Sequence, residues 1–244
     1  MTQSSKTSSL FMTLAGAGLL VLGAVGGWMF ERQRTVRNTT AEIGPAVRAY
    51  LLENPEVLRE AFERLNQKET ASRLSSVADD VIKPFPGAIL GNPNGKVTLV
   101  EFTDYACTYC RKSVEDVDRL VKAHPDLKVV VRELPILSPQ SGDAARWALA
   151  AAEQGRYPQY HAAMFAAGRP DAQTIEAAAR VAGLDMDRAR KFIADPKVNA
   201  ELQGNIRFAQ ALGFDGTPAW VIGDQALSGA VGYDVLAKAI EQAR

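Results

Sequence analysis

Cysteine is nearly missing from this chain: Cys107 and Cys110 are the only two in 244 residues. So few cannot staple a small scaffold together, so the fold must rest on a hydrophobic core. Histidine is as scarce, with His124 and His161 alone, which leaves little from which to build a metal site. An excess of either charge is also absent, because 28 Lys and Arg balance 28 Asp and Glu. Without a basic surplus there is no electrostatic footprint for nucleic acid, and none is expected as a partner. No internal repeat or low-complexity tract is present.

What the chain does contain starts with a long uncharged run, "LFMTLAGAGLLVLGAVGGWMF", from Leu10 to Phe30. At about 1.5 Å of rise per residue, roughly 20 such residues span about 30 Å of hydrocarbon. Lys6 precedes the run, and Glu31, Arg32, Arg34 and Arg37 follow it. It reads either as a signal peptide, with Ala24 to Gly26 as a small-residue cleavage site, or as a retained signal-anchor. The length favours the anchor, because a signal peptide needs only about 7–15 apolar residues. The arginines after the run pull the other way under the positive-inside rule. In either case residues 1–38 stand apart from the soluble fold. The remainder is expected to be exported to a compartment where thiols oxidise, with membrane contact through residues 10–30 if the run is uncleaved.

Residues 39–83 predict a helical arm. Val47, Leu51, Leu58, Phe62 and Leu65 fall on one helical face. Asn54, Pro55 and Glu56 have the types of an N-cap, a first-turn proline and a first-turn acid. This places one helix up to about Glu53 and a second from Pro55 to about Val81. Two helices have little core of their own, so the stripe must be covered by the rest of the chain or by a second copy. A homo-oligomer through residues 41–81 is the sharper expectation.

A linker rich in proline and glycine, "KPFPGAILGNPNGKV", sets a boundary near residue 83. After it, Val97 to Phe102 read as a strand, and Val114, Val117, Leu120 and Val121 share a helical face. "DLKVVVREL" is a second strand, apolar enough to be covered on both sides. From about 141 to 214 the chain is alanine-rich and helical. Short strands follow at Ala219 to Ile222 and around Ala226 to Leu227, and "YDVLAKAIEQAR" closes as an amphipathic helix. Residues 84–244 thus predict an α/β sheet domain carrying a helical insertion.

Three chemistries compete for Cys107 and Cys110. A zinc site needs four ligands, or three with an open position, and the two histidines have no ligand spacing to the cysteines. His124 lies at a helix end, and His161, within "PQYHAAMF", is expected at a partly exposed helical position. A static disulfide across so small a loop removes little chain entropy. A working dithiol fits best. The pair follows a strand and opens a helix, so Cys107 is expected at a helix N-terminus, where unpaired N–H groups favour a thiolate.

Strand, C-x-x-C, helix, helical insertion and a late Thr-Pro together resemble the thioredoxin fold in its DsbA-like branch. The pieces that carry the likeness are "GNPNGKVTLVEFTDYACTYC", "RELPIL" and "GTPAWVIG", within residues 84–244. "EIGPAVRAYLLENPEVLREAF" further resembles the oligomerising arm of ScsC-type disulfide isomerases. The resemblance implies a periplasmic thiol-disulfide oxidoreductase, without cofactor or metal, that exchanges disulfides with cysteine-containing client proteins. A separate redox partner would recycle the dithiol. Cys107 would be the nucleophile and Cys110 the resolving cysteine. Pro218 would be the cis-proline, with Thr217 presenting backbone to a client strand. Glu101 would be a buried acid relaying protons to the inner cysteine, as opposed to an exposed strand carboxylate.

The chain departs from many oxidases of the branch by placing Tyr109, in place of histidine, before the second cysteine. A less extreme thiolate and a milder oxidant are therefore expected. Thr217 before the proline favours an isomerase. The alternatives are a monomeric oxidase of the DsbA type, or a membrane-tethered binding module whose thiolates hold Cu(I). Trp220 and Tyr105 read as core or as the wall of an apolar cleft, and Asp104 as a turn residue.

Overall fold

The computed structural model describes residues 43–244, in two units that divide after Arg64. The apolar run at residues 10–30 lies outside the described residues. Among those described, no helix is long and apolar enough to cross a membrane.

In the first unit, residues 43–53 are helical (α1), and α2 (Glu56–Ser75) starts after a one-turn break. Asn54 does not cap α2. Its backbone N–H and its side-chain Nδ2 both donate to the Tyr50 carbonyl, at 2.8 and 2.9 Å, so it closes α1. Of the apolar stripe, Val47, Leu58 and Phe62 in this unit and Leu65 at the start of the second are 49%, 55%, 63% and 52% exposed, while Leu51 is half-buried.

The second helix also stops short of Val81. The hydroxyls of Ser75 and Ser76 turn back onto the carbonyls of Ser72 and Arg73, at 2.8 and 2.6 Å, and compete with the helical ladder. A single turn, α3 (Ala78–Val81), follows. Leu74 and Val81 are buried in the core of the second unit.

That unit is a five-stranded mixed sheet of β1 (Ile89–Gly91), β2 (Val97–Thr103), β3 (Leu127–Glu133), β4 (Ala219–Ile222) and β5 (Gln225–Ser228), in the order β1-β3-β2-β4-β5. The pair β2–β3 is parallel and every other pair is antiparallel. This is a thioredoxin-like α/β fold. β1 lies inside the segment read from sequence as a linker. Three residues amid prolines and glycines carry no period of their own, and pairing with Val130, Val129 and Lys128 makes them a strand.

Alternation along β2 sends Leu99 to one side with Val129, Val131, Trp220 and Ile222, and Val100 and Phe102 to the other with Val130 and Val221. Both sides are covered. The first receives α4 (Thr108–Ala123), through Val117 and Leu120, and α10 (Tyr233–Gln242), through Leu236 and Ile240. The insertion helices α5 (Pro139–Glu153), α6 (Tyr157–Ala167) and α7 (Ala172–Val181) extend the same cluster. On the second side lie Leu74, Val81, Phe214, and Ala209 and Leu212 of α9 (Pro196–Leu212). The insertion's breaks are caps: Ser138, Asp171 and Asp195 each accept a backbone N–H at the start of α5, α7 and α9. Asp185 does the same for α8 (Met186–Ile193).

One buried cation locks the second side. Arg132 on β3 donates to the carbonyls of Asp80, Val81 and Lys83, the last bond being short. It also donates to Glu201 at 2.9 Å and to Asn205 Oδ1 at 3.1 Å, and its guanidinium lies 4.9 Å from the Phe208 ring centre. It thereby adds a donor to carbonyls at the end of α3, where the helical ladder stops. Replacing Arg132 with alanine would leave these acceptors and Glu201 without their cation. The expected loss is about 3–5 kcal/mol of unfolding free energy, read from urea denaturation; a loss below 1 kcal/mol would show that the clamp carries no stability.

Candidate active site

The turn after β2 is fixed by Asp104. One carboxylate oxygen accepts the N–H of Ala106 at 2.8 Å, and the other accepts those of Ile136 and Leu137 at 2.8 and 2.9 Å. Its carbonyl accepts the Cys107 N–H at 2.9 Å. Asp104 thus pins the cysteine loop to the loop after β3. Arg111 ties the start of α4 to the end of α6, donating to the carbonyls of Phe165 at 3.0 Å and Gly168 at 2.7 Å.

Cys107 occupies the N-cap of α4 with extended backbone, and its Sγ accepts the Cys110 N–H at 3.1 Å. From the other side, the Cys107 thiol meets the Thr217 carbonyl at 3.2 Å, and the Thr217–Pro218 peptide is cis. The antiparallel pairing of Phe102 with Ala219 brings these two loops together across the sheet. Both cysteines are free; Cys107 is 4% exposed and Cys110 not at all.

These contacts separate the two sulfurs. Cys107 is lowered to about 6, first by hydrogen bonding with the Cys110 side chain. Burial opposes this, while the backbone N–H groups of Cys110 and Tyr109 add to it. Burial pushes the Cys110 thiol far up, and the hydrogen bond to Cys107 adds to the rise. One sulfur is a thiolate near neutral pH and its neighbour is a thiol. Tyr109, at the position filled by histidine in many oxidases, is 61% exposed, and its side chain makes no hydrogen bond to the sulfur.

Glu101 lies on β2 beneath this pair. It is 1% exposed and neither carboxyl oxygen has a partner, so it is not an exposed strand carboxylate. Burial raises it to about 8, and the Cys107 charge adds to the rise. Trp220 and Tyr105 are fully buried and belong to the core.

Sequence reasoning missed Glu133 at the end of β3. Its Oε1 accepts the hydroxyls of Tyr105 at 3.0 Å and Tyr157 at 2.7 Å, while Oε2 is buried without a partner. Burial raises it to about 8 against the pull of both tyrosines. The one signal for it was an acid closing the apolar run "VVVRE". His161 is corrected as well: it is 3% exposed, because its ring lies against Tyr105 and between Tyr157 and Phe165 of its own helix. His124, the C-cap residue of α4, has Nδ1 3.5 Å from Glu241. Neither histidine joins the cysteines in a metal-binding cluster among the described residues.

A free dithiol at a helix start, facing a cis-prolyl bond at the edge of a mixed sheet, defines the thioredoxin-like class. Within it the chain belongs to the DSBA-like thioredoxin domain family, whose model matches residues 98–241. The N-terminal domain of the copper resistance protein ScsC matches residues 40–71. A thioredoxin-like oxidoreductase from Silicibacter pomeroyi is 41% identical, with a TM-score of 0.62 over 64% of this chain and 91% of that one. Proteus mirabilis ScsC in a transitional conformation is 28% identical, with a TM-score of 0.64 over 84% of this chain and 96% of that one. Among curated relatives, a Na(+)/H(+) antiporter NhaA of Salinispora tropica is 29% identical over 167 residues, 66% of this chain. The chain spans 25%, 37% and 29% of the first three such relatives, all antiporters of that name.

Two outcomes test this geometry. Alkylation of the reduced protein by iodoacetamide should follow a single thiolate with a midpoint near pH 6, with Cys110 unreactive. A midpoint near 9 would contradict it. His161 is lowered to about 4 from 6.5 by burial. Between those values the unfolded chain binds a proton that the folded chain refuses, so stability falls as pH drops from about 6.5 towards 4. The His161 contribution reaches about 3 kcal/mol. His161→Leu should flatten this acid limb in urea titrations; parallel limbs for the two proteins would remove His161 as the cause.

Proposed function

We propose that the protein is a periplasmic thiol-disulfide oxidoreductase acting on cysteine-containing clients, and that it works as an isomerase assembled through its N-terminal arm. The observation that carries the chemistry is the split between the two sulfurs: a stabilised thiolate at the helix start beside a sealed thiol.

In this reading the Cys107 thiolate attacks one sulfur of a client disulfide, and the other client sulfur leaves as a thiolate. The mixed disulfide removes the charge on Cys107, and with it one of the two causes that hold Glu101 protonated. Glu101 can then pass its proton to the departing client thiolate and, as a carboxylate, take the proton of Cys110. The Cys110 thiolate attacks Cys107, forming the Cys107–Cys110 bond and releasing the client sulfur as a second thiolate. Run backwards, the same steps oxidise a client; attack of another client thiolate on the client sulfur of the mixed disulfide, before Cys110 attacks, forms a new client disulfide, returns the Cys107 thiolate and gives isomerisation. The Thr217 carbonyl and Pro218 line the approach to the sulfur, where an extended client segment would lie. A separate redox partner would recycle the dithiol.

The shift of Cys107 is useful but moderate. At pH 7 a thiol of about 6 gains only about 1.4 kcal/mol over an ordinary one, or roughly 30 mV towards oxidising.

The isomerase reading rests on the arm. Val47, Leu58, Phe62 and Leu65 form an apolar stripe that this chain leaves open to solvent, and burying it against other copies would bring several dithiols to one client. Full-length protein should sediment as an oligomer and restore activity to scrambled ribonuclease. Protein lacking residues 1–64 should sediment as a monomer and lose most of that isomerase activity, while still reducing insulin. Equal isomerase activity in both forms would reject the role of the arm and favour a monomeric oxidase.

A further inference from the structure

Two buried carboxyls share one face of the sheet. In the parallel register Thr103 pairs with Glu133 and Glu101 pairs with Val131, so Glu101 and Glu133 project from the same side of neighbouring strands, two residues apart. A strand spacing of about 4.8 Å and about 3.3 Å of rise per residue put their Cα atoms roughly 8 Å apart. Each is 1% exposed.

Their surroundings hold no countercharge among the described residues. From β2 and its turn the groups near Glu133 are Glu101, Asp104 and Tyr105, and from α6 they are Tyr157, Tyr160 and His161. The α4 cysteines lie next to Glu101. The Tyr160 hydroxyl is committed to the Ala144 carbonyl, and the Asp104 oxygens are committed to three backbone N–H groups. His161 is neutral above about pH 4. Asn205 of α9 reaches only the backbone carbonyl of Glu133, at 3.1 Å. The nearest cation in sequence, Arg132, points to the opposite face, to Val81, Glu201 and Asn205.

Two carboxylates in such a place cannot both ionise without a large penalty. The pair is also asymmetric. Glu133 has two phenolic donors aimed at Oε1, whereas Glu101 has none. Donors to a carboxylate stabilise its charged form, so the first negative charge belongs on Glu133.

We propose that Glu133 is a positioning residue for the exchange reaction: held by Tyr105 and Tyr157, it takes the first charge of the pair and makes Glu101 a stronger proton acceptor for Cys110. This rests on the reading of Glu101 as that acceptor. It also gives Tyr105 a task beyond packing, since that residue, two before Cys107, links the cysteine loop to the buried pair. Burial raises both carboxyls to about 8, above an ordinary glutamate, and the Glu101 charge adds to the rise of Glu133.

The test is the step in which Cys110 displaces a bound thiol. Reduced full-length protein is mixed with oxidised glutathione between pH 5 and 9, quenched by acid, and the decay of the glutathionylated intermediate is followed by mass. Glu133→Gln removes the like charge, so Glu101 loses its proton earlier and the midpoint of the decay rate moves to acid by on the order of one pH unit. Tyr157→Phe, which keeps the carboxyl but removes one donor, moves it the same way by less. Glu101→Gln slows the step and abolishes the midpoint, and adding Glu133→Gln to it changes nothing further.

A Glu133→Gln profile that overlays wild type while Glu101→Gln does not would overturn the role of Glu133 and leave Glu101 in place. A Glu101→Gln profile that overlays wild type would remove the acceptor, and with it this proposal. An equal shift from Glu133→Gln in both backgrounds would show that Glu133 acts by some route other than Glu101. Should Glu133→Gln fail to fold, as circular dichroism would reveal, Tyr157→Phe decides, and an unmoved midpoint overturns the inference.

Discussion

One hydrogen bond organises this molecule: the N–H of Cys110 pointing at the sulfur of Cys107, 3.1 Å away at the first turn of α4. It forms only if Cys107 stands at the N-cap with extended backbone, the place where a helix leaves donors unpaired. Holding that cap in place takes several long-range ties. Asp104 fastens the loop before it to Ile136 and Leu137, and Arg111 fastens the turn after it to the end of α6. The register of β2 with β4 does the rest, since Phe102 opposite Ala219 brings Thr217 level with the cysteine loop. A slip of one residue would turn Glu101 to the other side of the sheet and carry Thr217 away from the sulfur.

The two faces of the sheet treat their polar groups differently. On the side of Arg132, the guanidinium finds three carbonyls, a carboxylate and an amide, and is fully used in holding α3 and α9 to β3. On the side of the dithiol, Glu101, Glu133, His161 and the Thr217 hydroxyl all retain a buried atom without a partner. A buried polar group left unpaired costs about 1–3 kcal/mol. Stability alone would replace such groups with apolar ones, whereas proton movement near a sulfur requires groups that are neutral in one step and charged in the next. The contrast marks one face as built for rigidity and the other as kept responsive at some cost in stability.

Much of this was legible in the sequence. "VTLVEFT" and "KVVVRE" have the length and apolarity of strands covered on both sides, and "AGRPD" and "ADPK" contain the aspartates that cap the next helices. Glu101, Cys107, Cys110, Thr217 and Pro218, distant in sequence, lie together around the cysteine loop. What stayed hidden depends on contacts between distant residues. Ile89 to Gly91 become a strand only through pairing with β3, and Glu133 becomes part of the site only through hydroxyls 28 and 24 residues away in sequence. His161 was misjudged for the same reason, since polarity argues for exposure until its neighbours in space are known. Asn54 has the type of an N-cap, yet its amide serves the helix behind it. The serines that end α2 are the exception: a local signal lay in "LSS", and the apolar period running past it masked it.

The thiolate of Cys107 owes nothing to a cation. Its stabilisers are the Cys110 thiol and two backbone N–H groups, all of them neutral. Neutral donors are short-ranged and little affected by salt, whereas an imidazolium one residue away would act through a charge that salt screens and pH removes. They are also weaker, which is why the sulfur settles near 6 and the pull on electrons at neutral pH stays modest. In the proposed mechanism, with the thiolate only moderately favoured, the pH response of the exchange passes to the groups below it, where two carboxyls share one dry face of the sheet. The position held by Tyr109 and the pairing of Glu101 with Glu133 then describe a single choice, in which proton control moves from the edge of the cleft to its floor.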